Sequence, residues 1–337
     1  MKVGVFWRKF RNVEQQMRIT PDKVYDDAYE EAYHHYSALK GAGYNVCMLE
    51  WKKDPRETLR NIIREEIDII FNASSAREIS FLEAFGIPYV GSGIDLVPLN
   101  KVKRKEIVAY NRLHTPKFAI AKDVDSIPDI NYINYPLFVK PIDGRGSAGI
   151  SEDNIIYKYE ELPSVIKKIT EKIGQAALIE EFIEGREITV GVIGYKNPKV
   201  LPIVEIEYNS AKTNTFEHKM YDNEIIYCPA NFPKEEEKRI KTAALNIYKV
   251  LNAKDYSRID MIVGKDGIPY FLEINTFAGL TMDSRKDDDG KIEVHHGYMG
   301  YSAKAAGMSS SEFMSTILES AVERYGLLDK EKEKLTS

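Results

Sequence analysis

Two carboxylates in the segment YSRIDMIVGKDGIPYFLEINTF (256–277) carry the first chemical signal. Asp260 and Glu273 each sit inside a short apolar run, and Asp266-Gly267 separates the runs. Asp-Gly between alternating runs predicts a hairpin with a two-residue type I′ turn. That turn pairs Lys265 with Ile268, Val263 with Tyr270, Asp260 with Glu273 and Arg258 with Asn275. Strand side chains alternate with period two. Ile259, Met261, Val263, Tyr270, Leu272 and Ile274 then form a core face, and Arg258, Asp260, Ile262, Phe271, Glu273 and Asn275 the other. Opposed carboxylates have Cβ atoms roughly 5 Å apart, and at an effective dielectric of about 20 they repel by on the order of 3 kcal/mol. A divalent cation offsets this. Two carboxylates and an amide oxygen are hard ligands suited to Mg²⁺ that also holds phosphates. Ile262 and Phe271 would floor a flat ring. The same residues also fit an exposed polar face on which Arg258 bridges the acids, and a slip of one residue would separate them.

Such a metal site needs a phosphate partner. FVKPIDGRGSAGIS (138–151) offers Lys140 at a strand end, with Gly144, Gly146 and Gly149 freeing the backbone to turn N–H groups towards an anion. It lacks the GxxxxGK[ST] pattern of a Walker A loop. A flexible hairpin tip is the plainer alternative. Lys101 is a second cation, in a basic helical run with Lys103, Arg104 and Lys105. In LIEEFIEGREI (178–188), Glu180 and Glu187 flank an apolar strand end. The backbone from Glu181 to Ile183 could read an adenine edge while Glu187 accepts from ribose hydroxyls; alone, this is also a strand with exposed acids.

The elements that must position these groups follow from pattern. Residues 1–95 alternate: strand at 3–7, helix at 22–41 stopped by Gly41 and Gly43, strand at 44–51, charged helix at 55–66, strand at 67–72, helix at 76–85, then IPYVGSG. This βαβαβ order predicts a parallel sheet with helices on both faces. Further on come a helix at 98–113, a strand at 135–141, a polar helix at 159–174 and strands at 176–183, 187–195 and 201–208. A polar loop covers 209–227, helices lie at 234–250 and 309–325, and the tail frays. The chain has 337 residues, 43% hydrophobic and 29% charged, with a net charge of -5. That length suits two or three units, and the mixed charge favours neither nucleic acid nor an anionic membrane. Two cysteines and six scattered histidines make neither a disulfide framework nor a zinc site. DDDG at 287–290 reads as solvated loop. The start MKVGVFWRKF has no secretory apolar region and no apolar stretch approaches about 18 residues, so a cytoplasmic location is expected.

Taken in order, these pieces resemble the ATP-grasp superfamily, and within it the D-alanine–D-alanine ligase family. The likeness runs from about 86 to 325 through GIPYVGSG, the Lys101 region, KPIDGRGSAGIS, EEFIEGREITV, IIYCPA, RIDMIV, LEINTFAGLTMDS and SAKAAGMSSSEFMSTILESA. It implies an α/β ATP-grasp fold: an N-terminal parallel doubly wound unit (1–97), a central unit with the glycine-rich loop (98–185), a C-terminal unit with the metal site (186–328) and a tail (329–337). ATP would lie between the last two units. Lys101 and Lys140 would contact its phosphates, with Gly146 and Ser147 in the loop closing over them and Ser147 also serving catalysis. Glu180, Glu181, Phe182, Ile183 and Glu187 would hold adenosine, with Ile262, Phe271 and Leu272 beside it. Lys219 resembles the lysine of a mobile loop, with its spacing off by one. Asp260, Glu273 and Asn275 would bind two Mg²⁺, for which Mn²⁺ can substitute. Arg258 and the Gly279 N–H would stabilise a tetrahedral oxyanion. Ser284, with Arg285 after it, would meet the carboxylate of a second amino acid.

The N-terminal third departs from that pattern. The family's His-Gly and Gly-Glu-Asp-Gly segment is replaced by FNASSAREISFLEAFG, with Asn72 in the histidine's place. WRKFRNVEQQ stands where a glutamate signature follows the first strand, and Arg285 replaces an apolar residue. The expectation is an ATP-dependent ligase making a peptide-like bond between small amino-acid-like substrates through an acylphosphate, with a rebuilt donor pocket. Arg8, Lys9, Arg11, Arg77 and Arg285 are spare cations that would suit a donor with an extra anionic group. Alternatives are a ligase for L-amino acids or another biosynthetic amide, and, in a different class, a non-catalytic nucleotide-binding regulatory protein. The resemblance also implies that a homodimer is a common state.

Overall fold

The computed structural model describes residues 1–8, 27–73, 75–143, 152–208, 224–282 and 297–327. Its first part runs β1 (Lys2–Trp7), α1 (Asp27–Gly41), β2 (Asn45–Glu50), α2 (Pro55–Arg64), β3 (Ile69–Phe71) and α3 (Ala76–Ala84). The strands are parallel in the order β2-β1-β3, as the alternating pattern requires. Alternation splits their apolar residues. Val3, Val5 and Phe71 pack on α1, while Phe6, Leu49 and Ile70 face Ile62 of α2 and Ile79 of α3. Asp54 caps α2 through the Arg56 amide, and Ser75 caps α3 through the Glu78 amide.

The middle part contains α4 (Lys101–Tyr110), β4 (Phe118–Ala121), β5 (Leu137–Pro141), β6 (Ile155–Ile156), α5 (Leu162–Lys167) and β7 (Ala177–Glu181). An antiparallel sheet runs β4-β7-β5-β6. The helix expected over 159–174 is broken into a 3₁₀ turn, α5 and a π turn that ends at Gly174. Strand β4 has no counterpart in the pattern reading: FAIA is too short to show a period.

The last part adds β8 (Gly185–Ile193), β9 (Lys199–Val200), β10 (Val204–Tyr208), β11 (Glu224–Tyr227), α6 (Lys234–Val250), β12 (Tyr256–Gly264), β13 (Pro269–Asn275), α7 (Tyr298–Ala305) and α8 (Ser310–Tyr325). The sheet order is β11-β10-β8-β12-β13, with β9 beside β8. The loop expected over 209–227 gives way to strand at its end, because β11 pairs with β10. Helix α6 starts after Pro233, carries three glutamates in its first turn and lays Ile240, Ala244 and Ile247 on Ile188, Val190 and Ile259. That packing fixes one face of the sheet as core and turns Glu187, Thr189, Arg258 and Asp260 the other way. Helix α8 returns to the first sheet, with Phe313 and Ile317 against Val3 and Val5.

The hairpin turn differs from the expected two-residue type. Gly267 donates to the Gly264 carbonyl at 2.8 Å, and its φ is 71°. Lys265, Asp266 and Gly267 therefore form a three-residue loop whose last position needs a left-handed backbone, which glycine supplies. This pairs Val263 with Pro269 and Met261 with Phe271, one residue off the expected register. A bulge at Leu272 then restores it, so Asp260 still faces Glu273 and Arg258 still faces Asn275. The shifted register moves Tyr270, expected in the core, opposite Ile262 on the cleft face, where it is partly buried. Phe271 is fully buried in the core behind the sheet, and Leu272 is only partly buried. Phe271 therefore does not floor the cleft.

Candidate active site

Asp260 accepts from three side chains on the cleft face. Arg258 donates to both its oxygens, Nε to Oδ1 at 2.9 Å and a terminal nitrogen to Oδ2 at 3.0 Å. Thr189, opposite Asp260 on β8, donates at 2.6 Å, and the Asn275 amide at 2.7 Å. Asn275 also approaches Glu273 at 3.5 Å, and Lys101 reaches Glu273 at 3.6 Å. Burial favours the neutral form of Lys101 and lowers its pKa, against the pull of Glu273. Burial also opposes the charge on Arg258, but Asp260 outweighs it and the net shift is upward. Asp260, Glu273 and the Asn275 side chain are a hard oxygen set in one place, which fits Mg²⁺. Among the described residues there is no group of three or more His, Cys, Asp or Glu side chains that could hold a metal, so the amide oxygen and bound phosphate would complete the shell.

A cleft of about 390 Å³ opens beside these groups, lined by Asn100, Lys101, Asp143, Glu273, Asn275 and Phe277 among others. Asn100 caps α4 through the Lys103 amide at 2.9 Å and so sets Lys101 at the cleft end of its helix. One turn along, Lys105 points inward and is fully buried. It meets Glu180 at 2.6 Å, and Lys140 meets the other oxygen at 2.5 Å. Lys105 also donates to Thr115 at 3.0 Å and to the Phe271 carbonyl at 3.2 Å. Burial alone would raise the Glu180 pKa, but the two ammonium groups outweigh it and hold it at about 2. Glu180, expected at adenosine, is thus an internal anion sealed between two lysines.

The other adenosine candidates divide. The Glu181 amide donates to the Lys117 carbonyl and the Phe182 amide to Pro136, both at 2.9 Å, so neither is available to a base edge. Glu181 also accepts from Asn134 at 2.6 Å. Phe182 is 6.4 Å from the Phe138 ring. Ile183 is partly buried and lies by the hairpin turn near Gly264. Glu187 and Ile262 are paired neighbours on the cleft face, and Tyr208 donates to Glu187 at 3.2 Å. Gly279 is partly buried beside Gly297. Arg8 lies 3.9 Å from the buried Glu78 carboxylate, so it is not a spare cation, and Arg77 is exposed. Gly144, Gly146, Ser147, Gly149, Lys219, Ser284, Arg285, Lys9, Arg11 and the run 287–290 lie outside the described residues.

Pattern does not point to Thr189, Tyr298 or Glu224, and it gives Lys105 only as one of a basic run, though Lys105 carries a usable signal. Its i,i+4 spacing from Lys101 puts both on one helix face.

The model of the D-ala D-ala ligase C-terminus matches residues 105–288. D-alanine–D-alanine ligase A of Bacillus cereus is 33% identical, covering 72% of this chain and 74% of its own. The D-alanine–D-alanine ligase of Carboxydothermus hydrogenoformans is 31% identical over 84% and 89%. The chain belongs to the D-alanine–D-alanine ligase family. It is therefore an enzyme of the ATP-dependent carbon–nitrogen ligase type. Its ATP-grasp fold agrees with the crystal structure of D-alanine–D-alanine ligase from Bacillus anthracis complexed with ATP, at a TM-score of 0.73 and 24% identity over 97% of this chain and 99% of that one. VanG D-Ala:D-Ser ligase from Enterococcus faecalis superposes at 0.71 and 21% identity, over 95% and 99%. Among the described residues, no helix is long and apolar enough to cross a membrane.

Proposed function

We propose that this protein joins the carboxylate of one amino-acid-like substrate to the amine of another in the cytoplasm, with ATP cleaved to ADP and phosphate. The carrying observation is the Asp260–Glu273 pair held opposite each other, with Asn275 and Lys101 beside it and Arg258 on Asp260. Lys101 and Lys140 bind the phosphates, and Glu187 with Ile262 holds the nucleoside. Magnesium, held by Asp260, Glu273 and the Asn275 oxygen, would neutralise charge on the transferring phosphoryl group. The donor carboxylate takes the γ-phosphoryl, the amine attacks the acylphosphate and phosphate leaves. Arg258 and the Gly279 N–H steady the oxyanion, each such donor contributing on the order of 2.7–4 kcal/mol. The three units meet near residues 97 and 185, and the assembly is a homodimer.

The donor differs from D-alanine. This reading rests on the substituted segment from Asn72 to Gly86, which includes Ala76 of the cleft wall. Phosphate release across a panel of D- and L-amino acids and small dicarboxylic acids tests it. Turnover confined to D-alanine overturns the donor assignment, and silence with every pair overturns the ligase reading.

A further inference from the structure

Resting on the ligase reading, we infer that Glu224 and Tyr298 form the recognition point for the ammonium group of the second substrate. Tyr298 opens α7, and its ring lies over the Arg258 guanidinium, 4.8 Å from ring centre to Cζ. Its hydroxyl donates to Oε2 of Glu224 at the start of β11. The other oxygen of that carboxylate, Oε1, is buried with no hydrogen-bond partner among the described residues. A buried, unsatisfied carboxylate oxygen is costly. Here it lies one tyrosine ring away from the arginine assigned to the oxyanion.

Backbone packing sets this distance. The Gly297 amide donates to the Thr281 carbonyl at 3.0 Å, and a Cβ on Gly297 would fall 2.0 Å from the Gly279 carbonyl oxygen. Only glycine allows that approach. The residue before Tyr298 is therefore pressed against Gly279, whose N–H is assigned to the oxyanion. A Cβ on Gly300 would likewise fall 2.0 Å from the Thr281 carbonyl oxygen, so the first turn of α7 is seated along 279–281. The attacking amine must reach a carbon whose oxygen is held by Arg258 and Gly279. The Glu224 carboxylate is tied to that arginine through the Tyr298 ring.

The chemistry of the pair selects the ligand class. Glu224 accepts and does not donate, and Tyr298 already spends its proton on it. A multi-donor cation such as the α-ammonium of an amino acid satisfies Oε1, and a charge-assisted bond there is stronger than a neutral one. An acceptor presenting a single hydroxyl gains less.

The test uses the full-length protein with an active donor–acceptor pair, and with hydroxylamine as a small acceptor that is uncharged near neutral pH. Glu224→Gln is expected to raise KM for the amino-acid acceptor about tenfold or more, to leave KM for ATP unchanged, and to lose far less with hydroxylamine. Tyr298→Phe, which keeps the ring over Arg258, should move the acceptor KM the same way by a smaller factor. Equal losses with both acceptors, or an unchanged acceptor KM in both variants, overturns the inference while the ligase reading stands. If the wild type releases no phosphate with any donor–acceptor pair, the ligase reading falls and the inference falls with it.

Discussion

Two buried ion clusters, one beside the cleft and one under α8, share an anionic centre and differ in everything around it. Beside the cleft, Glu180 holds two ammonium groups, so the cluster carries surplus positive charge. Under α8, Asp255 holds one guanidinium. Arg324 donates to both its oxygens, at 3.2 and 2.6 Å, while Ser320 and the Gly91 amide fill the remaining sites at 3.0 and 2.8 Å. Arg324 also reaches the carbonyls of Tyr89 and Gly91. Three separate segments meet there, and the charges cancel. The difference follows from the side chains. A planar fork locks one geometry, whereas an ammonium is a point charge that can turn to a new anion. The balanced cluster is suited to fastening, and the unbalanced one to receiving phosphate.

The sharpest way to break this contrast is Asp255→Asn, which leaves Arg324 buried without its counter-charge. We expect about 3–5 kcal/mol less stability, read by urea unfolding, and an unchanged KM for ATP in the folded fraction. The next effect is acid lability. The Glu180 pKa is lowered from 4.5 to about 2, so its stabilisation is complete above 4.5 and disappears as pH falls towards 2. That limb amounts to about 3 kcal/mol, and Glu180→Gln should flatten it in melts between those pH values. Lys140→Met should raise KM for ATP about 30- to 100-fold with little change in melting, because Lys105 still neutralises Glu180. Smallest is Ser320→Ala, which removes one neutral donor from Asp255 and should cost about 1 kcal/mol with no kinetic effect. A large ATP effect at Asp255, or a large stability effect at Lys140, would dissolve the distinction.

How legible these features are depends on whether their partners lie close in sequence. The Asp260–Glu273 and Arg258–Asn275 pairings are written in a local hairpin pattern, and α6 shows its bounds through Pro233, its acidic first turn and its apolar period. The parallel first sheet follows from alternation alone. The loop length and the Leu272 bulge are not legible, because Asp-Gly suits two hairpin types and the two irregularities cancel at the acids. The place of Glu180 is hidden for another reason. Its lysines come from α4 and β5, and only the strand order β4-β7-β5 brings them together. Tyr298 and Glu224 are 74 residues apart and meet through the packing of α7 on the sheet. Asp255 and Arg324 meet across a similar span.

The paired irregularities of the hairpin bear on how such a site changes over generations. One residue gained at the tip is matched by one residue set aside at Leu272, so the acids keep their alignment only while both persist. Shortening the tip alone, or deleting Leu272 alone, would turn Glu273 away from Asp260. A lineage can move between the two loop lengths only by making both edits together, which makes the tip of this hairpin resistant to drift in length even though it is solvent-exposed and holds no reacting group.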